Sequence, residues 1–147
     1  VSAVPKLVPA HADDAFQPRA DVIAAAAPGA KSLLVNSPNN PTGVVYTRST
    51  LDGIARTCQD HDLWLISDEV YDTQVWRGAH ISPRALPDMA DRTLVVGSMS
   101  KSHAMTGSRC GWIVGPADAI DHLTNLATHT TYGCPSSTSP RPPDRTY

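Results

Sequence analysis

A lysine that follows an apolar segment is the residue of this chain best suited to covalent chemistry. Lys101 comes after the largely apolar residues 93–97 and stands behind two serines, Ser98 and Ser100. A lysine held in a cleft at a strand end loses its proton more easily than one in water, and the neutral amine can form a Schiff base. Because an arbitrary lysine is more often a surface residue, its neighbours must decide between the two interpretations.

Two hydroxyls and a guanidinium near this lysine could bind a phosphate group. Ser98 and Ser100 precede Lys101, and Arg109 follows it by eight residues. Arginine donates bidentate, charge-assisted hydrogen bonds that match the geometry of a phosphate, and the hydroxyls would add donors. Arg109 taken alone would more often form a surface ion pair, so the phosphate hypothesis depends on the whole group of residues.

Three further polar residues follow other segments of the chain. Asp68 comes directly after the largely apolar residues 63–67. A carboxylate buried there needs a partner such as a protonated pyridine nitrogen, and the alternative is that Asp68 caps a helix. Tyr71 lies three residues later, and Asn40 lies in a turn at 38–43 that contains two prolines and a glycine. The hydroxyl of Tyr71 and the amide of Asn40 could reach the same ligand.

The segments between these residues predict an α/β fold with a mainly parallel sheet and flanking helices. Strands are predicted at 32–36, 63–67, 93–97 and 110–114, with a further short one at 6–9, and helices at 19–27, 47–61 and 116–129. Strands that are apolar throughout belong in a sheet covered on both faces. Ligands of such sheets bind beyond the carboxyl ends of the strands, where the polar residues described above are expected.

Composition limits the classes of partner. The net charge of −2 gives no excess of basic residues for nucleic acid or an anionic membrane. No apolar run approaches the roughly 20 residues that a membrane-spanning helix needs. The cysteines, Cys58, Cys110 and Cys134, have neither close pairing nor metal-ligand spacing, which favours free thiols in a reducing cytoplasm. The histidines show no metal-ligand spacing either, so no metal site is predicted.

Four motifs together resemble the class I/II aminotransferases, which are enzymes of fold type I that use pyridoxal 5'-phosphate (PLP). They are Asn-Pro-Thr-Gly at 40–43, Ser-Asp-Glu-Val-Tyr at 67–71, Ser-Met-Ser-Lys at 98–101 and the segment 101–112, which ends in Arg-Cys-Gly-Trp. Each motif alone is weak, but four in the right order at compatible spacing are specific. The similarity covers residues 4–135 and implies the central part of the PLP-dependent transferase large domain.

The resemblance implies a catalytic role for Lys101. The lysine would hold PLP as a Schiff base and move a proton between the substrate and the cofactor, so that an amino group passes from an amino acid to a 2-oxo acid. A PLP-dependent C–S lyase of the same fold would use the same lysine for elimination. A non-catalytic remnant or ligand-binding domain is the remaining alternative.

The resemblance also implies which residues bind the cofactor. They would be Asn40, Asp68, Tyr71, Ser98, Ser100, Lys101 and Arg109. Asp68 would pair with the pyridine nitrogen, while Asn40 and Tyr71 would hydrogen-bond the ring oxygen. The two serines and the arginine would hold the phosphate.

The family pattern further predicts that the chain is a truncated part of a longer enzyme. Family members are usually more than twice this length and add a glycine-containing phosphate loop, a ring-stacking aromatic residue and a substrate-binding arginine. Residues 1–135 would form the partial PLP-binding large domain, and the proline- and serine-rich residues 136–147 would form an irregular, disordered tail. We expect exposed apolar sheet surface and weak or no transamination by the isolated chain. Full-length relatives are expected to be homodimers.

Overall fold

The computed structural model describes residues 3–130 of the 147-residue chain. The strands are β1 (Ser32–Asn36), β2 (Trp64–Asp68), β3 (Thr93–Ser98) and β4 (Gly111–Val114), and the α-helices are α1 (Ala20–Ala26), α2 (Arg48–Asp60), α3 (Met99–Ser102) and α4 (Ala117–Thr130). The predicted domain boundary at 135, the predicted tail at 136–147 and Cys134 lie outside the described residues.

The strands form one sheet in the order β1-β2-β3-β4. The first three are parallel, and β4 joins the edge of the sheet antiparallel to β3. The mainly parallel sheet with flanking helices that the sequence predicts is therefore confirmed. The carboxyl ends of β1 and β2 meet in register, with Asn36 beside Asp68, and Asp68 in turn lies beside Val96 of β3.

The prediction of a short strand at 6–9 is wrong. This segment has no regular secondary structure, and the side chain of Leu7 is 89% exposed. Pro5 and Pro9 bracket it and cannot donate backbone hydrogen bonds to a neighbouring strand. Instead the ammonium of Lys6 donates to the carbonyls of Ala26 and Pro28 at the end of α1, at 3.2 and 2.6 Å.

Helix α2 forms where the apolar spacing predicts it. Thr47 caps its first turn, with the side-chain oxygen accepting a hydrogen bond from the amide of Thr50. One face of the helix is buried and carries Leu51, Ile54, Ala55 and Cys58. Gly53 allows α1 to approach closely, because a Cβ at this position would lie 2.8 Å from the Cβ of Ala20.

The core lies on one face of the sheet. It is built from Ile23, Ala27, Val35, Leu51, Ile54, Ala55, Cys58, Leu63, Leu65, Leu86 and Met89. Leu65 of β2 is fully buried, whereas Leu34 of β1 points to the opposite face and is 67% exposed. Ile113 of β4 is also exposed, at 44%. On the same face Ile66, Leu94 and Val96 are partly buried, so this face is covered only in part. The expectation that both faces are fully covered is therefore wrong for residues 3–130, while the expected exposed apolar sheet surface is present at Leu34 and Ile113.

Helix α4 belongs to a second compact unit, which begins at Ala117. It matches the helix predicted at 116–129, and its threonine hydroxyls at Thr124, Thr128 and Thr130 each donate to the carbonyl four residues earlier. Among residues 3–130, no helix is both long and apolar enough to cross a membrane.

The buried thiol of Cys58 is expected to make folding sensitive to alkaline pH. Burial raises the pKa of this thiol from 9.0 to about 11, and the nearby Arg92 offsets only part of the rise. The folded chain therefore keeps the proton to higher pH than the unfolded chain. The contribution of Cys58 to stability should be complete below about pH 9 and decline between about pH 9 and 11.

Urea unfolding at a series of pH values between 7 and about 11 measures this loss. The substitution Cys58→Ala should flatten the decline above about pH 9, whereas Cys110→Ala, which changes an exposed thiol, should leave it unchanged. Equal slopes in the two variants would show that Cys58 is not the responsible group.

Candidate active site

Lys101 lies on the short helix α3, which begins where β3 ends. The side chain of Ser98 caps this helix by accepting a hydrogen bond from the amide of Ser100 at 3.1 Å, and the hydroxyl of Ser102 donates to the carbonyl of Ser98 at 3.0 Å. The cap fixes the start of the helix at the carboxyl edge of the sheet. The side chain of Lys101 is exposed, and its Nζ lies 5.7 Å from the centroid of the Tyr71 ring.

Tyr71 also contacts Asn40, so three of the predicted site residues come together. The side-chain amide of Asn40 donates to the Tyr71 hydroxyl at 3.1 Å. Asn40 belongs to a turn held against the sheet by Asn36, whose Oδ1 accepts hydrogen bonds from the Asn39 side chain and the Asn40 backbone at 3.0 and 3.3 Å. The peptide bonds before both prolines of this turn are cis.

Asp68 is the last residue of β2, beside Asn36 of β1. The side-chain amide of Asn36 donates to the Asp68 carbonyl at 3.1 Å, and Oδ1 of Asp68 accepts from the amide of Val70 at 3.2 Å. The latter bond is of the kind that an N-cap makes, but a turn rather than a helix follows. The helix-cap interpretation of Asp68 is therefore wrong, and its partly buried carboxylate stands at the strand edge.

Arg109 precedes β4 in a left-handed conformation, with a φ of 51°. Its Nη1 donates to the carbonyl of Thr106 at 3.1 Å, and the Thr106 hydroxyl donates to the carbonyl of Ser100 at 3.3 Å. These contacts connect the segment 106–109 to α3. The guanidinium is exposed, while the Ser98 hydroxyl is engaged in capping α3. Phosphate binding by Ser98, Ser100 and Arg109 stays a prediction.

A depression of about 240 Å³ lies beside the Asn40–Tyr71 pair. It is lined by Pro38, Asn39, Asn40, Pro41, Gly43, Tyr71, Gln74 and Trp76. The indole of Trp76 is 87% exposed, and the side-chain amide of Gln74 donates to the Lys101 carbonyl at 3.0 Å. Gln74 thus connects the depression to the backbone of Lys101, which does not itself line it, and none of the lining residues carries a formal charge.

Sequence reasoning missed one buried polar cluster next to the site. The carboxylate of Glu69 contacts His80 Nε2 and Ser82 Oγ, each at 2.8 Å. The sequence offers no signal for it, because His80 and Ser82 lie more than ten residues after Glu69 in a segment without regular structure. Within residues 3–130, no three His, Cys, Asp or Glu side chains converge in a way that could hold a metal ion.

Trp112 shapes the strand pair beside α3. It lies across from Gly97 in the β3–β4 ladder, and a Cβ added at Gly97 would lie 2.3 Å from Cε2 of the indole. Only glycine allows the ring to cover the backbone here. Trp112 is 43% exposed and lies on the edge strand β4, so the indole is covered on one side only.

Comparison with known proteins agrees with this arrangement. The sequence profile of the family described as aminotransferase class I and II matches residues 3–141. The arginine–pyruvate transaminase AruH of Pseudomonas aeruginosa is 48% identical over 87% of this chain, and kynurenine–oxoglutarate transaminase 1 of Rattus norvegicus is 44% identical over 74%. The structure of an aspartate aminotransferase from Thermus thermophilus with maleate superposes on 84% of the chain with a TM-score of 0.80 and 37% identity.

The chain is shorter than these relatives. It spans 33% of AruH, 26% of the rat enzyme and 32% of the Thermus chain, about a third of their length or less. The match nevertheless includes all four motifs and the strands that carry them. The chain therefore belongs to the class I and II aminotransferase family.

Proposed function

We propose that this chain supplies the lysine-bearing part of a PLP-dependent aminotransferase site. The observation that carries the proposal is the placement of the Lys101 amine near the Tyr71 ring, whose hydroxyl accepts a hydrogen bond from Asn40. An amine, a phenol and an amide thus meet at the carboxyl edge of a mainly parallel sheet, which is where ligands of such sheets bind. Family membership supports the same assignment.

The donor set at this edge suits PLP. Asp68 would hold the pyridine nitrogen, because its partly buried carboxylate ends β2 and a protonated nitrogen would stabilise its charge. Asn40 and Tyr71 would bind the ring oxygen, and Arg109 with Ser98 and Ser100 would bind the phosphate. PLP supplies an aldehyde carbon that reacts with amines and a ring that withdraws electrons from the substrate.

Lys101 would bind the cofactor and move a proton. Its Nζ is within the distance at which an aromatic ring attracts an ammonium, so Tyr71 favours one position of the flexible side chain. In the neutral form, the same nitrogen would take the proton from the α-carbon of an amino acid. The bond from Gln74 to the Lys101 carbonyl holds the backbone of the helix that carries this nitrogen.

The substrates proposed are an amino acid and a 2-oxo acid. The names of the relatives include arginine, kynurenine and aspartate, so the proposal specifies the class of reaction and no particular amino acid. We also propose that residues 1–135 form part of the large PLP-binding domain, and that the complete enzyme is a homodimer. Both described cysteines, Cys58 and Cys110, carry free thiols, which supports a cytoplasmic location.

Product analysis tests this function. The purified chain would be incubated with PLP, pyruvate and a panel of amino acids, and the products would be identified by mass spectrometry. Since only weak transamination is expected of the isolated chain, the yield should be low, and the product should be alanine that carries the isotopically labelled amino group of the donor. Ammonia and a thiol from cysteine conjugates would instead indicate a C–S lyase, and failure of the chain to retain PLP on desalting would contradict both functions.

A further inference from the structure

The loop at residues 69–82, here called the Tyr71 loop, begins with a buried carboxylate. The amide of Glu69 donates to the Val96 carbonyl at 2.9 Å, which continues the β2–β3 ladder by one residue. The side chain of Glu69 is only 6% exposed. Because an ionised carboxylate accepts hydrogen bonds and does not donate them, its burial is tolerated only if donors surround it.

Both oxygens of this carboxylate have donors from the far end of the same loop. His80 Nε2 lies 2.8 Å from Oε2, and Ser82 Oγ donates to Oε1 at 2.8 Å. The His80 side chain is 11% exposed. The three residues, here called the Glu69 anchor, therefore join the start and the end of the loop by charge-assisted hydrogen bonds, which are stronger than bonds between neutral groups.

The part of the loop between these ends is exposed and reaches the candidate active site. Trp76 is 87% exposed, Arg77 is exposed, and Gly78 has a φ of 76° that reverses the chain. Two residues of the loop make the contacts to the site. Tyr71 accepts from Asn40, and Gln74 donates to the carbonyl of Lys101. Without the anchor, exposed hydrogen bonds of modest net strength would have to hold this segment.

We propose that the Glu69 anchor positions Tyr71 and, through Gln74, the backbone of Lys101. Glu69, His80 and Ser82 are thus positioning residues that act on the site through the Tyr71 loop and not by touching a ligand. The expected effect of the anchor on PLP binding rests on the proposed function, whereas its expected effect on the order of the Tyr71 loop does not.

Two substitutions of His80 test the proposal on the full chain, and the exposed Arg77 provides the trypsin cleavage site at which the effect is measured. His80→Leu removes the donor at similar volume, whereas His80→Gln keeps an N–H donor that can reach Glu69. Limited trypsin digestion should cut after Arg77 about tenfold faster in His80→Leu, the change expected for the loss of one charge-assisted hydrogen bond, and His80→Gln should recover most of this protection. Cleavage after the exposed Lys31, which lies just before β1, is the internal reference.

PLP binding provides the second measurement. Titration followed by tryptophan fluorescence should show weaker binding in His80→Leu and recovery in His80→Gln. Unchanged cleavage after Arg77 in His80→Leu would overturn the proposal, and so would equal acceleration at Lys31, since the anchor would then stabilise the whole fold and not the loop. If unsubstituted chain fails to bind PLP while cleavage after Arg77 responds as expected, the proposed function fails and the anchoring of the loop stands.

Discussion

Replacement of Lys101 by alanine is expected to abolish the borohydride-stable attachment of PLP to this chain. The amine of Lys101 is the proposed nucleophile, and it lies 5.7 Å from the centroid of the Tyr71 ring. Mass spectrometry of tryptic peptides after borohydride treatment measures the attachment. The same substitution should slow exchange of the α-proton of a bound amino acid by about 10² to 10⁴-fold, the usual contribution of a positioned general base.

Lys31→Ala is the matched control. Lys31 is also exposed, but it precedes β1 and so lies at the opposite edge of the parallel strands from Lys101. Attachment and α-proton exchange should both survive this change. If Lys101→Ala retains borohydride-stable PLP in the amount found for the unsubstituted chain, then the assignment of Lys101 is wrong.

Leu65→Ala is expected to destabilise the fold by about 3 kcal/mol, because the site permits little collapse around the lost methyl groups. Leu65 is fully buried in β2 and belongs to the same core as Ile54 and Cys58 of α2. The loss would appear as a lower midpoint of urea unfolding without a large change in slope. Since Leu65 lies three residues before Asp68, the substitution also weakens the strand that carries this carboxylate.

Leu34→Ala separates burial from residue type. Leu34 is the same residue on the adjacent strand, but it points to the face opposite the core and is 67% exposed. Its replacement should change the free energy of unfolding by no more than about 0.5 kcal/mol. A loss similar to that of Leu65→Ala would mean that the Leu34 face is covered in solution.

This pair shows where sequence reasoning about the fold reaches its limit. Leu34 and Leu65 both occupy short apolar runs, and the runs predict strands at nearly the observed bounds. Which face of each strand is buried depends on which elements cover the sheet. When the residues on both faces of a strand are apolar, their alternation in sequence does not show which face is buried. The direction of β4 is a similar case, because it depends on the path of the loop that contains α3.

In the candidate site, too, some features were predictable from the sequence and others were not. The order and spacing of the four motifs were sufficient to predict the family, which the family profile confirms. They also predicted that Asn40 and Tyr71 face one ligand, and the structure places the two side chains in contact. The roles of the individual residues toward PLP stay predictions. The Glu69 anchor could not be predicted, because its members are distant in sequence and belong to no periodic pattern.

The sequence thus identified Lys101 as a residue that could react, and the fold determined which residues surround it. The sequence by itself determined the class of fold, the family and the residues that could act, because apolar periodicity, turn chemistry and motif order are properties of short segments. Only the tertiary structure decided that Tyr71 lies beside Lys101, that Leu65 is buried while Leu34 is exposed, and that Glu69 joins both ends of the Tyr71 loop. These contacts join residues distant in sequence, so they exist only once the packed core fixes the path of the chain between them.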